Sequence, residues 1–153
     1  MRQYIDIIEN MDNGFTITPE QSEKILSLPW VERGVKIGKN ARLWRGQSEE
    51  TGSGMAVYGT GLYFTCNRTE ARKYGKVTEL SRSYLPQNPL RFKTYGDYQL
   101  WLQHTGIDIL GYDDMRDFSA AYHDVRYLVQ AIDPSLDGIQ MFTGNDAMFV
   151  LYP

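Results

Sequence analysis

Apolar positions along the chain follow two periods. Spacings of three and four residues recur in "TPEQSEKILSL", "YGDYQLWLQHTG" and "DFSAAYHDVRYLVQAID", and each predicts a helix. Residues 1–12 have the same pattern, with Tyr4, Ile5, Ile8 and Met11 on one face and "DNG" as a stop. In the second helix Thr18 is the expected N-cap, Pro19 the first helical residue and Gln21 the capping-box partner; "LPW" ends it. "RLWRG", "GLYFT", "KVTELSRSYL", "LRF", "GIQMF" and "AMFVLY" read as strands, the last two joined by the turn sequence "TGND". "VERGVKIGKNA" is expected as a loop or irregular strand, and "EETGSG" as an exposed loop. Asn67 should cap a short helix, "RTEARKYG", with Glu70 completing a capping box and Gly75 closing it. A helix capped near Asp97 should end at Gly106, and one longer helix should bury Phe118, Ala121, Tyr122, Val125, Leu128 and Val129. Strands cluster near residue 42 and at the C-terminal end with helices between, which is an α+β pattern.

Length and composition narrow this picture. The 153 residues suit a single domain with its own core. No apolar run approaches the roughly 20 residues of a membrane span, and acids in "MRQYIDIIENMDNG" argue against a secretory signal. A cytoplasmic protein without a membrane partner is the expectation. A net charge of −3 disfavours a broad nucleic-acid surface, with Arg68, Arg72, Lys73 and Lys76 as a local exception. One cysteine and two histidines give no metal-ligand spacing, so no metal is expected.

The usual chemistry-bearing motifs are missing. There is no GxxxxGK[ST], GxSxG or HExxH, and the glycines of "GSGMAVYG" do not form a dinucleotide fingerprint. Cys66 has no histidine near it in sequence and reads as a structural thiol. Two phrases remain, "LWRGQ" and "GTGLYFTCNRTEARKYG". Arg45 lies in an apolar strand, where it needs either an acid elsewhere in the fold or an anionic ligand. Gly46 permits close approach to the backbone. Tyr63 is either a core residue or a flat surface for a heteroaromatic ring.

"LWRGQ" resembles the "LWHGS" phrase of the ADP-ribosyltransferase superfamily in its poly(ADP-ribose) polymerase-type branch. "GTGLYFTCNRTEARKYG" resembles that family's "GKGIYFADxxSKSAxY" without gaps, and "GNDAMFVLY" looks like its "NEYIVY" strand. The three occur in family order and cover residues 41–153. Residues 1–40 form a helical segment preceding or packed on this core. The resemblance implies a split, mixed or antiparallel sheet flanked by helices, with NAD as co-substrate. It places Arg45 where the polymerases have histidine and the cholera-toxin-like branch has arginine, as a cofactor ligand. Gly46 would meet the nicotinamide amide through its backbone, Tyr63 would stack on the ring, and Tyr74 would wall its other side. Trp44, Gly61, Phe64, Thr65 and Asn145 complete the implied cofactor site. Asp146 stands where the family has its catalytic glutamate, Ala71 where it has serine, and Gly144 where arginine-modifying relatives have a second acid.

The implied activity is a mono-ADP-ribosyltransferase. Its catalytic residues would be Arg45, Tyr63 and Asp146, and its acceptor a protein rather than a nucleic acid. A monomeric effector or toxin of viral or bacterial type fits that reading. An NAD glycohydrolase and a degenerate domain that binds NAD or a partner without turnover are the alternatives.

Overall fold

The computed structural model describes residues 16–47 and 57–153; the expected first helix and the "EETGSG" loop lie outside them. Local signals set the first element. Thr18 caps helix α1, Pro19–Leu26, and its hydroxyl accepts from the Gln21 amide while the Gln21 side chain accepts from the Thr18 amide, a complete capping box. The chain then forms β1 (Glu32–Arg33), β2 (Leu43–Gln47), β3 (Leu62–Thr65), α2 (Arg68–Arg72), β4 (Lys76–Leu80), β5 (Leu90–Phe92) and α3 (Tyr95–Gln103). Helices α4 (Met115–Ala121) and α5 (Val125–Ile132) and strands β6 (Gly138–Met141) and β7 (Met148–Leu151) complete it.

Seven strands form one mixed sheet in the order β1-β5-β6-β7-β3-β2-β4. Only β5 and β6 run parallel; the other neighbours are antiparallel. The protein is therefore α+β, as its patterning predicts. Alternation along the strands separates two cores. Leu90, Phe92, Ile139, Met141 and Val150 pack with Ile25, Tyr98, Trp101, Phe118, Leu128 and Val129 of the helices. Leu43, Phe64, Ala147 and Phe149 build a smaller cluster, joined by Val35, Ile37, Leu80 and Leu85.

Two buried polar side chains lock the sheet. Gln140 on β6 donates to the carbonyls of Lys36 and Phe142 and accepts from the Lys36 amide, so the β1–β2 connection is tied down where no ladder exists. Arg91 on β5 is 9% exposed; it donates to the carbonyls of Arg33 and Gly34 and pairs with Glu32 at 3.1 Å.

Four elements depart from the sequence expectation. The strand read over "KVTELSRSYL" ends at Leu80, and Arg82–Tyr84 form a 3-10 turn capped by Ser81. The helix beginning at Tyr95 is capped by Thr94, not at Asp97, and passes through Gly106 in a π-helical turn, His104–Ile109. Gly106 is a packing residue: a Cβ there would sit 2.6 Å from the Phe118 ring. The single long helix is two, because Tyr122 leaves helical geometry and Asp124 caps α5 through the Arg126 amide. The Asp124 carboxylate is also claimed by Thr60, which gives it both amide (3.0 Å) and hydroxyl (2.6 Å). In α2 only half of the capping box forms. Asn67 accepts from the Glu70 amide, but its own amide is taken by the Thr65 hydroxyl, and Glu70 pairs with Lys73 instead.

Burial pushes the Asp124 carboxyl up, but the hydrogen bonds from Thr60 and the Arg126 amide outweigh it and hold the group below the usual carboxylate range. Such a group stabilises the fold fully above about pH 4 and loses that effect as pH falls through its folded value. Asp124→Asn should cost about 1–2 kcal/mol at neutral pH. In denaturant titrations across pH, its stability should converge with that of the unsubstituted protein toward acid.

Candidate functional site

Strand β2 pairs with β4 along its whole length but meets β3 at one position, Trp44 opposite Thr65. Had that ladder continued, Gly46 would face Tyr63. Instead β3 pairs with β7 from Leu62 to Thr65, and the edge of β2 beyond Trp44 has no strand partner among the described residues. A cavity of about 830 Å³ opens at this parting, within the usual ligand-pocket range of roughly 300–1,000 Å³. Residues of both faces reach it: Tyr63, which packs toward the larger core, and Phe64, which stacks on Phe149 in the smaller one.

The cavity gathers Trp44, Arg45, Gly46, Gly61, Tyr63, Phe64, Thr65, Tyr74 and Asp146. These come from three sequence phrases, the last one far along the chain from the first two. Asn145 does not line it; it stays exposed on the 3-10 turn Gly144–Asp146. Val57, Tyr58, Thr60, Asn67, Glu70, Ala71, Phe142 and Met148 also line the cavity. Of these, Tyr58 and Thr60 sit directly against the "GTG" phrase and could have been proposed from it. Phe142 could not: only the fold brings the end of β6 here, with Phe142 at φ 65°, a conformation uncommon for a bulky residue. Its amide donates to the Phe92 carbonyl and its carbonyl accepts from buried Gln140, which holds that geometry in place.

The side chains differ in how far their polar groups are committed. Arg45 is half-buried, with no hydrogen bond or ion pair among the described residues; the internal salt bridge that sequence allows is not seen there. The Asp146 carboxylate is exposed and likewise without a partner among them. Thr65 donates to the Ala147 carbonyl and accepts from the Asn67 amide. Tyr63 donates to the Gly59 carbonyl at 2.7 Å and accepts from the Tyr58 amide at 3.0 Å. Burial pushes its phenol up to about 12. Tyr63 can therefore offer a ligand its ring but not a mobile proton.

The glycines are explained by packing. A Cβ on Gly46 would run into the Ala71 carbonyl, and one on Gly61 into the Leu151 carbonyl. Gly46 thus lets α2 lie on β2, while the strand edge facing β3 stays open. Tyr74, at the end of α2, is 60% exposed and leaves its ring at the cavity mouth. Arg68 stacks on the Trp44 ring at 5.0 Å, a cation–π contact that covers the indole from outside.

Among the described residues, no group of histidines, cysteines and acids is placed to hold a metal ion. Among them, too, no helix is long and apolar enough to cross a membrane. The burial of Cys66 raises its thiol above the ordinary value, with Arg82 opposing weakly, the environment of an unreactive thiol. Compared with protein-family models, curated proteins and solved structures, the chain matches none.

Tyr63→Phe removes a donor from the Gly59 carbonyl and leaves the Tyr58 amide without its acceptor. The variant should lose about 1–3 kcal/mol in a denaturant titration, and its Tyr58 amide should exchange hydrogen faster.

Proposed function

We propose that the cavity binds NAD and that the protein cleaves it at the nicotinamide–ribose bond, transferring ADP-ribose to an acceptor. One observation carries this reading. Three phrases that resemble one family's motifs, "LWRGQ", "GTGLYFTCNRTEARKYG" and "GNDAMFVLY", converge on a single cavity. The single-pair junction between β2 and β3 is further support for a sheet of the split type which that resemblance implies.

The residues divide the work by chemistry. The open edge of β2 beyond Trp44 offers backbone groups to a planar carboxamide, which needs a donor and an acceptor side by side. The rings of Tyr63 and Tyr74 enclose an aromatic leaving group. Arg45, a fixed cation without a partner among the described residues, suits the diphosphate. When the C–N bond breaks, its electron pair leaves with nicotinamide and positive charge builds on the ribose ring, as in glycoside hydrolysis. The Asp146 carboxylate stabilises that charge electrostatically. An acceptor nucleophile then bonds to the anomeric carbon and gives up its proton. A protein side chain is the proposed acceptor; water in its place gives a glycohydrolase.

The exposed, unheld Asp146 favours one second reading, a domain that binds NAD without turning it over. Nicotinamide release from NAD, measured with purified protein and with cell extract as acceptor source, separates the readings. Transfer predicts release together with labelling of protein. Asp146→Ala should lower the release rate about 100-fold with little change in NAD affinity. Arg45→Ala should weaken NAD binding by roughly 10-fold or more. Absence of both release and NAD binding in the unsubstituted protein would falsify the proposal, and binding without release selects the non-catalytic domain.

A further inference from the structure

Four tyrosines meet at residues 57–59, and three of them have spent their hydroxyls. Tyr98 donates to the Val57 carbonyl, Tyr152 to that of Tyr58 and Tyr63 to that of Gly59. The fourth, Tyr58, is only 9% exposed and lines the cavity, yet its hydroxyl has no hydrogen-bond partner among the described residues. The residue is held in the cavity wall while its hydroxyl keeps its bonding capacity, which leaves that group available to a ligand there. Its ring is held independently, edge-on to Tyr98 at 4.9 Å and to Tyr95 at 6.5 Å. The ring is thus held by packing, with no hydrogen bond to its hydroxyl among the described residues.

We infer that Tyr58 is a ligand-binding residue of the cavity, whose hydroxyl donates a hydrogen bond to an acceptor oxygen of the bound dinucleotide. The inference rests on the NAD reading of the site and adds a contact outside the phrases that suggested it. Burial and the neighbouring phenols of Tyr95 and Tyr74 push the Tyr58 phenol up to about 12, so it keeps its proton throughout the neutral range. As a donor it suits a carbonyl, hydroxyl or phosphate oxygen. Its partner is therefore on the carboxamide, a ribose or the diphosphate.

Tyr58→Phe isolates that one atom, since the ring contacts survive and no hydrogen bond among the described residues is lost. NAD is titrated calorimetrically into both proteins, and their melting temperatures are compared without ligand. The expected result is an unchanged melting temperature with NAD affinity reduced about 3- to 10-fold. Tyr98→Phe serves as the contrast and should melt earlier, because it removes the donor to Val57. Equal NAD affinity in the two proteins overturns the inference while leaving the NAD reading intact. A clear fall in the melting temperature of Tyr58→Phe overturns it as well, by assigning the hydroxyl to the fold. Failure of the unsubstituted protein to bind NAD removes this inference and the NAD reading together.

Discussion

The cavity depends on how four consecutive residues are held. Val57, Tyr58, Gly59 and Thr60 form no strand or helix, yet each backbone is bonded by a side chain from elsewhere. Phenols from α3, from the residue after β7 and from β3 take the first three carbonyls in order. Asp124 takes the Thr60 amide and hydroxyl, and Arg126 reaches the Thr60 carbonyl at 3.5 Å. Buried backbone groups must find partners, and here side chains supply what a ladder would otherwise provide. Each such bond contributes about 1 kcal/mol net. More important, they tie the cavity wall to both helices and sheet, so it cannot shift unless several elements shift with it. The high tyrosine content follows in part from this arrangement: a phenol can fill a core with its ring and still deliver a donor to a specific carbonyl.

The same anchoring explains why the long C-terminal helix is broken. Asp124 cannot both continue a helix and reach Thr60 while capping α5. A capping aspartate needs extended backbone, and Asp124 has φ −117° and ψ 116°. The helix break is therefore where the cavity wall is fastened. Arg126, the second residue of α5, extends the fastening by donating to the Pro153 carbonyl and lying over the Tyr152 ring. The final residues of the chain thereby take part in holding residues 57–60, although they are distant from them in sequence.

What could be read from sequence was local. The Thr18 box, the Asn67 cap and the positive φ at Gly75 each depend on a few neighbouring residues, and they appear as read apart from the Glu70 half of the second box. The strands of both main phrases were also legible, as short runs rich in apolar and aromatic residues next to glycines. Tertiary choices left no such trace. The π-helical turn through Gly106 exists because Phe118 packs there. The buried arginine argument likewise fits a different residue. Arg91, in "LRF", is the arginine taken out of water among the described residues, and it bonds two carbonyls and Glu32 through its terminal nitrogens. Arg45 stands in the same kind of apolar strand but only half-buried. Sequence pattern does not distinguish the two, since the difference lies in whether the neighbouring strand stays in register beside the residue.

That distinction bears on how the site should be weighed. The glycines that shape the two phrases are required by the fold, because Gly46 and Gly61 each have a carbonyl where a Cβ would go. Gly59 adopts φ 101° against the backbone of Arg126. Tyr63 and Thr65 have committed their polar atoms to backbone groups. A motif made of such residues specifies architecture first: it brings β2, β3 and α2 together and lets β2 part from β3. Ligand chemistry has to come from groups with hydrogen-bonding capacity left over. Among the described residues, the cation of Arg45, the carboxylate of Asp146, the hydroxyl of Tyr58 and the open edge of β2 supply such groups at one cavity. A cation, an anion, a neutral donor and a backbone edge beside aromatic rings form a diverse set for a single pocket. It suits a ligand that is itself composite, with a flat heteroaromatic amide, sugar hydroxyls and a diphosphate. A uniformly charged or purely apolar ligand would leave half of that set unused.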